Sequence, residues 1–293
     1  MAIKKTKGEK IFQVVNAILM VILIIITLYP ILYVAFASLS KPSELIQHQG
    51  ILWKPLGFSI EAYKMVFKNP MISIGYQNTL FYVVVGTAFN ILLSCLGAYI
   101  LSRKGLYIKK FLTVFIIFTM YFGGGLIPFY LLVKKLGLTN TRWALIIPRA
   151  INTWNLIVMR TAFASVPDSL EESARIDGAE DFSILFKIIL PLVMPTIAVM
   201  VLFYAVAHWN GWFDAMVFLR KRELYPVQLI LREILISNDT SSMMFNVSGV
   251  DKEPVGETIK YATIIITTLP ILFIYPFLQK YFVKGIMVGA VKG

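Results

Sequence analysis

Six long apolar stretches divide this sequence, and each is long enough to cross a lipid bilayer. A transmembrane helix needs about 20 predominantly apolar residues. Over the whole chain 58% of residues are hydrophobic and 15% are charged, whereas soluble domains average roughly 45–50% and about 25%. The sequence therefore predicts an all-α, polytopic integral membrane protein with six transmembrane helices in a single domain over residues 1–293. The stretches lie near residues 11–37, 77–101, 108–133, 143–163, 187–208 and 260–282.

The first apolar stretch has two interpretations, a cleaved signal peptide or a membrane anchor. Lysines precede it, and Ala35-Phe36-Ala37 resembles a cleavage site. Its apolar part is longer than the apolar region of a signal peptide, which has about 7–15 residues. The length favours an uncleaved signal anchor.

An even number of spans places both termini on the same side of the membrane. Lysine and arginine are denser in the segments on that side than in the other loops, and basic residues accumulate on the cytoplasmic side. We therefore expect cytoplasmic termini, a cytoplasmic loop at 164–187 and a long outer loop at 209–259.

Charge, cysteine and histidine usage disfavour several classes of function. The net charge of +12 comes from short clusters between apolar runs, so a membrane surface explains it better than nucleic acid. Cys95 has no cysteine partner, and His48 and His208 lack metal-binding spacing. No phosphate-binding loop motif occurs either. We expect no metal site and no catalytic residue, and if ATP is used, another chain binds it.

The segment 166–195 combines many charges with helix signals in the predicted cytoplasmic loop. Pro167 followed by acidic residues predicts the start of a short surface helix, and Gly178 predicts its end and a turn into a second short helix. Ala174 and Gly178 are four residues apart, so they share one helix face and leave a shallow strip where another protein could approach. The alternative is a solvated charged loop with no partner.

The spacing within this segment resembles the EAA loop of bacterial ABC importer permeases. Glu172-Ser173-Ala174 is followed after three residues by Gly178, after nine more by Ile188, and then by Leu190-Pro191. Only Ser173 departs from the pattern, which has alanine there. The ending 285–293 also resembles MalG-like permeases of carbohydrate importers, and the outer loop with Trp209 to Asp214 resembles their LplC-type branch, associated with complex oligosaccharides.

This resemblance implies a type I importer permease fold whose coupling (EAA) helix docks on a separate ATPase subunit. The implied contacts are Glu171, Glu172, Ser173, Ala174, Asp177, Gly178, Ala179, Leu190 and Pro191, and in the C-terminal tail Gly289, Val291, Lys292 and Gly293. The implied partners are a homologous second permease, an ABC ATPase dimer that holds ATP and Mg, and an extracytoplasmic solute-binding protein. The chain would then be a non-enzymatic, multi-pass transport subunit of the bacterial cytoplasmic membrane that moves an oligosaccharide by alternating access.

Polar residues inside the apolar stretches are candidates for a substrate path, because ionisable groups at membrane depth need a polar cavity or a partner. Arg149 follows Pro148 and precedes two asparagines, although its side chain could instead reach the outer interface. Gly123 to Gly125 predict an interrupted helix beside a cavity, or close helix packing by small residues. The full candidate set is Tyr121, Arg149, Asn152, Trp154, Asn155 and Trp209.

Asn90 and Ser94 lie one helical turn apart in the second stretch. Polar side chains on one helix face can bond to a neighbouring helix, so we expect inter-helix hydrogen bonds from them.

The sequence allows more than one class of substrate. Basic residues outnumber acidic ones on the predicted outer side, which would steer an anionic, uronate-containing oligosaccharide towards the chain. Alternatives are an ABC permease for another small solute and an ion-coupled secondary transporter. The latter should carry paired acidic residues at membrane depth, whereas all Asp and Glu fall in predicted loops.

Overall fold

The computed structural model describes residues 6–103, 105–236 and 252–290, and this part of the chain is mostly helical. Its helices up to the coupling region are α1 (Lys7–Ser38), α2 (Pro42–Gln47), α3 (Glu61–Lys68), α4 (Pro70–Phe81), α5 (Thr87–Ser102), α6 (Lys109–Tyr121), α7 (Leu126–Lys135) and α8 (Thr153–Ala164). The remainder are α9 (Asp168–Ile176), α10 (Asp181–Ile184), α11 (Leu190–Leu192), α12 (Met194–Trp209), α13 (Phe213–Phe218), α14 (Val227–Ile236) and α15 (Lys252–Ala290).

Several of these helices are long and apolar enough to cross a membrane. Three candidates are single rods within the described residues: α1, the continuous stretch Pro70–Ser102, and Val255–Ile274 within α15. Two bent pairs add one candidate each, α6 with α7 at 116° and Asp181–Leu192 with α12 at 88°. The expected all-α, multi-pass membrane architecture is confirmed.

The fourth apolar stretch differs most from its expected bounds. Helix α8 begins only at Thr153, and the residues before it form a 3₁₀ turn, Arg142–Leu145, and an irregular segment, 146–152. Pro148 accounts for part of this, because proline removes a backbone donor and disfavours helical geometry in the residue before it. The irregular segment 146–152 carries Arg149 and Asn152.

The chain packs as two compact units. The first comprises Met1–Asn69 and Glu233–Leu269. Thr6 and Glu9 start α1 with reciprocal side-chain to backbone hydrogen bonds of 3.3 and 2.8 Å, a capping box that satisfies two backbone donors. None of the apolar window of α1 is buried by the described residues, so this helix offers its side chains to lipid or to a partner.

The second unit comprises Pro70–Arg232 and Pro270–Gly293. Helices α5, α8 and α12 pack against one another around a core that extends to the segment 184–189 and to α9. Met159, Phe163 and Ile189 are fully buried there. This core lies between an irregular segment that precedes α8 and a charged helix that follows it, and both prove to be candidate sites.

Candidate functional site

A cavity of about 1110 Å³ opens in the second unit beside the irregular segment 146–152. Side chains near the ends of α6, α8 and α12 and from α7 and α13 line it. Four of the six predicted path residues are among them, namely Arg149, Asn152, Trp154 and Asn155. The structure therefore brings these four together on one wall.

Arg149 is held at this wall by an ion pair with Asp214. Its Nε and Nη2 atoms donate to the two oxygens of that carboxylate, and the Nη2–Oδ1 distance is 3.0 Å. The guanidinium also lies 5.5 Å from the centre of the Phe129 ring. Two parallel charge-assisted bonds fix orientation as well as distance. Arg149 thus faces the cavity with its charge paired, which is the arrangement that an ionisable group at membrane depth needs.

Buried polar side chains of α5 and α12 hold the irregular segment in place. Asn90 donates to the carbonyl oxygens of Arg149 and Ala150 at 3.1 and 2.7 Å, and its own oxygen lies 2.6 Å from Nε2 of His208. The hydroxyl of Tyr204 accepts from the backbone N–H of Asn152 at 3.1 Å. An unpaired backbone group in apolar surroundings would be costly, so these contacts make a non-helical segment tolerable at this depth.

The expected inter-helix bonds of Asn90 and Ser94 are therefore confirmed. Ser94 forms a buried hydrogen bond of 2.8 Å with the hydroxyl of Tyr204. His208 packs so closely on Gly86 that a Cβ there would lie 2.5 Å from its Nε2. The network fixes α5, α12 and the segment 146–152 against each other.

Two predicted path residues lie elsewhere, which corrects the sequence interpretation. Tyr121 ends α6 with 73% of its surface exposed and does not line the cavity. Trp209 is buried and packs edge-on against Tyr76, with 6.3 Å between ring centres. Adjacent helix positions point about 100° apart, so His208 lines the cavity whereas its neighbour Trp209 enters the core.

The expected break in the third apolar stretch is present. Helix α6 ends at Tyr121, α7 starts after Gly125, whose φ is +80°, and residues on both sides of the break line the cavity. A Cβ on Gly123 or Gly125 would meet nothing within 4 Å. Close packing of small residues therefore does not explain these glycines in the described chain. The break allows the bend between α6 and α7.

Asp214, Tyr204 and His208 also line the cavity, and sequence reasoning did not assign them to it. Asp214 lies 65 residues from Arg149 along the chain, and no local pattern links the two. The only available signal was that an arginine at membrane depth needs a partner.

The charged segment after α8 folds as a short helix with a defined start and stop, as predicted. Pro167 precedes α9, Asp168 and Glu171 occupy its first turn, and α10 follows after a turn. At its end the N–H of Gly178 donates to Arg175 O at 3.0 Å, and the N–H of Ala179 donates to Ala174 O at 2.9 Å. This bonding pattern is a Schellman motif.

Gly178 is required by that motif because its φ is +79°, a left-handed conformation that penalises residues with a Cβ. A Cβ at this position would meet nothing within 4 Å. The glycine is thus set by backbone geometry rather than by crowding within this chain.

An ion network ties α9 to the loop that follows α5. Arg103 pairs with Glu171 and also donates to Phe163 O at 2.9 Å. Arg175 pairs with Glu171 and Asp181, and its hydrogen bonds to them raise the pKa of its guanidinium. Arg103 and Glu171 are largely buried, with side chains 15% and 12% exposed. The network holds α9 on the core.

The face assigned to Ala174 needs correction. Its side chain is buried in the core, against which Ala179 also packs, because the amphipathic α9 turns this face inward. The outward face instead carries Glu172, Ser173, Ile176 and Asp177, and Ile176 is 86% exposed.

The remaining predicted coupling residues have mixed positions. Leu190 packs partly against the core and Pro191 is exposed. In the tail, Gly289 falls within α15, whereas Val291, Lys292 and Gly293 lie outside the described residues.

A helical membrane unit with a cavity and a capped surface helix fits a transport permease, and a family comparison agrees. The family of binding-protein-dependent transport system inner membrane components matches residues 90–288. The chain belongs to that family. Its resemblance to carbohydrate-type ABC importer permeases is confirmed, which favours this class over an ion-coupled secondary transporter.

Individual relatives match over nearly their full length. The chain is 42% identical to the polygalacturonan/rhamnogalacturonan transport system permease protein YtcP of Bacillus subtilis, over 92% of this chain and 94% of the relative. It is 40% identical to protein LplC of the same organism, over 98% and 97%. A crystal structure of a bacterial ABC transporter that imports the acidic polysaccharide alginate contains a similar chain, with a TM-score of 0.87, 34% identity and coverage of 96% and 100%.

Proposed function

We propose that this chain is the permease through which a bacterial ABC importer takes up anionic, uronate-containing oligosaccharides. The observation that carries the proposal is the cavity wall on which Arg149 already binds a carboxylate, that of Asp214, through two hydrogen bonds. A guanidinium in this geometry binds a carboxylate through two parallel hydrogen bonds. A neutral hydroxyl can accept only single hydrogen bonds from it.

The size and lining of the cavity support a sugar chain as the ligand. Its volume of about 1110 Å³ exceeds the range of roughly 300–1,000 Å³ that is common for small-molecule sites. Trp154 supplies an aromatic face, and Asn152 and Asn210 supply amide groups. The relative named for polygalacturonan/rhamnogalacturonan transport and the transporter of the acidic polysaccharide alginate point to the same class of substrate.

Transport in this proposal proceeds by alternating access in a larger assembly. The chain pairs with a homologous second permease, receives sugar from an extracytoplasmic solute-binding protein and contacts an ATPase dimer that binds ATP and Mg. Both termini lie in the cytoplasm. Helix α9 is the coupling helix, and its exposed residues Glu172, Ser173, Ile176 and Asp177 contact the ATPase, with the C-terminal tail as a second contact.

The capped geometry of α9 suits this role. Its ion pairs and the Schellman motif attach it to the core formed by α5, α8 and α12. A push on its outer face then moves packed helices together, since packed cores shift as units rather than deform continuously.

Substrate class can be tested with a matched pair of ligands. The full complex, reconstituted in proteoliposomes with its binding protein, is assayed for ATPase stimulation by oligogalacturonates and by methyl esters of the same chain length. The acids should stimulate hydrolysis and uptake at lower concentrations than the esters. Equal responses, or preference for the ester, would refute an anionic substrate.

A further inference from the structure

The charged groups of the cavity wall are confined to one pair. Among the described residues that line it, Arg149 is the only permanent cation and Asp214 the only carboxylate. The paired wall therefore carries no net charge, although a cation suited to carboxylates is present. Whatever releases Arg149 from Asp214 also creates a binding site for an anion.

The two partners differ in how firmly they are placed. The backbone on both sides of the Arg149–Ala150 peptide is fixed by Asn90, which bonds both carbonyl oxygens. The guanidinium of Arg149 nevertheless remains accessible, since its side chain is 62% exposed, whereas that of Asp214 is 21% exposed. A ligand entering the cavity can reach the cation without moving the segment that carries it.

The pair also joins two elements that are otherwise separate in the chain. Arg149 lies on the irregular segment 146–152, and Asp214 lies in the first turn of α13. Exchange of partners at Arg149 would release this one link, while α13 stays packed on the preceding 3₁₀ turn through Phe218 and Ala144. One local exchange thus changes charge recognition without dismantling the packing around it.

We propose that Asp214 is a built-in competitor, an internal carboxylate that occupies Arg149 until the carboxylate of a uronate residue replaces it. This inference rests on the proposed function and adds its selectivity mechanism. A uronate exchanges one bidentate partner for another, so the cation remains paired throughout. A neutral sugar offers no carboxylate to exchange, so Arg149 stays paired with Asp214 and the sugar gains no charge-assisted contact there.

Removing the competitor should strengthen acid binding. In the reconstituted complex, Asp214→Asn is expected to lower the oligogalacturonate concentration for half-maximal ATPase stimulation by about 2- to 5-fold, the range for a partly exposed ion pair. The concentration needed for the methyl ester should stay the same, so the ratio of ester to acid rises. Asp214→Glu retains a carboxylate and serves as the matched control with a wild-type ratio.

Removing the cation of Arg149 should abolish the preference for the acid over the ester. Arg149→Gln is expected to raise the half-maximal acid concentration by at least about 10-fold, as for the loss of a bidentate charge-assisted contact, while Arg149→Lys restores part of it. The double variant Arg149→Gln with Asp214→Asn leaves no unpaired charge, so it tests the same point if either single variant fails to assemble. It should respond equally to acid and ester.

The outcomes separate the two proposals. If the wild-type complex does not prefer acid over ester, the anionic substrate class itself fails. If it does prefer acid, but Asp214→Asn leaves the ratio unchanged or alters both ligands equally, only the competitor role fails. A double variant that keeps the acid preference overturns the assignment of Arg149.

Discussion

The cap of α9 gives the sharpest test of how one residue stabilises a helix end in this protein. Gly178 has φ +79° with open space around the position of a Cβ, so Gly178→Ala meets no clash within the chain. Its cost is confined to the backbone and should be about 1–2 kcal/mol, the penalty of a left-handed residue with a Cβ. Asparagine tolerates this conformation better, so Gly178→Asn is the matched control.

The free-energy cost of Gly178→Ala can be measured as more frequent local opening of the C-terminal end of α9. The N–H groups of Gly178 and Ala179 close the Schellman motif, and a destabilisation of about 1–2 kcal/mol multiplies the open fraction by roughly 5–30. Amide hydrogen exchange of a peptide covering 168–181 in the purified complex should accelerate by this factor in Gly178→Ala and much less in Gly178→Asn. Equal exchange in the alanine variant and wild type would contradict the backbone argument.

A larger side chain at position 178 tests whether the ATPase docks beside this residue. Because no described residue lies within 4 Å of the Cβ position, Gly178→Phe should resemble Gly178→Ala in the exchange of the isolated permease. In the full assembly we expect it to lose substrate-stimulated ATPase activity well beyond the alanine variant, since a partner then fills the open space. Identical activity of the two variants in the assembly would remove Gly178 from the proposed contact.

Three further changes test the remaining contacts. Arg103→Gln leaves the largely buried Glu171 with Arg175 as its remaining ion-pair partner and should destabilise α9 by about 1–3 kcal/mol, seen as faster proteolysis of the loop 164–187 than in a lysine variant. Asn90→Leu leaves two carbonyls unpaired at about 1–3 kcal/mol each, which should lower the melting temperature of the complex, and an unchanged value would contradict the network. Trp154→Ala should weaken substrate stimulation of the ATPase, whereas Tyr121→Ala, outside the cavity, should not.

Local chemistry explains which features the sequence predicted well. The start of α9 after Pro167, its end at Gly178 and the break at the third stretch all depend on residues that act on their own backbone. The inter-helix role of Asn90 followed from its spacing with Ser94 on one helix face. Such signals need no knowledge of the fold, because the physical cause lies within a turn or two of the residue.

The errors arose where the cause is distant in sequence. Ala174 was placed outward because its spacing to Gly178 defines a face but not which side of that face meets the core. Large aromatic rings suit a core as well as a sugar, so residue type alone does not separate the buried Trp209 from Trp154 at the cavity. Asp214 could not be paired with Arg149 without the fold, since 65 residues separate them.

Helix α8 connects the two sites, and each end is tied to one of them. Asn152 caps its start at the cavity, accepting from the N–H of Asn155 at 3.1 Å, and Arg103 bonds to Phe163 O near its end beside the coupling network. Twelve residues span only about 18 Å, with Met159 fully buried between them. We therefore expect a displacement at the segment 146–152 to reach α9 through one short, packed rod, because neither end is free to absorb it.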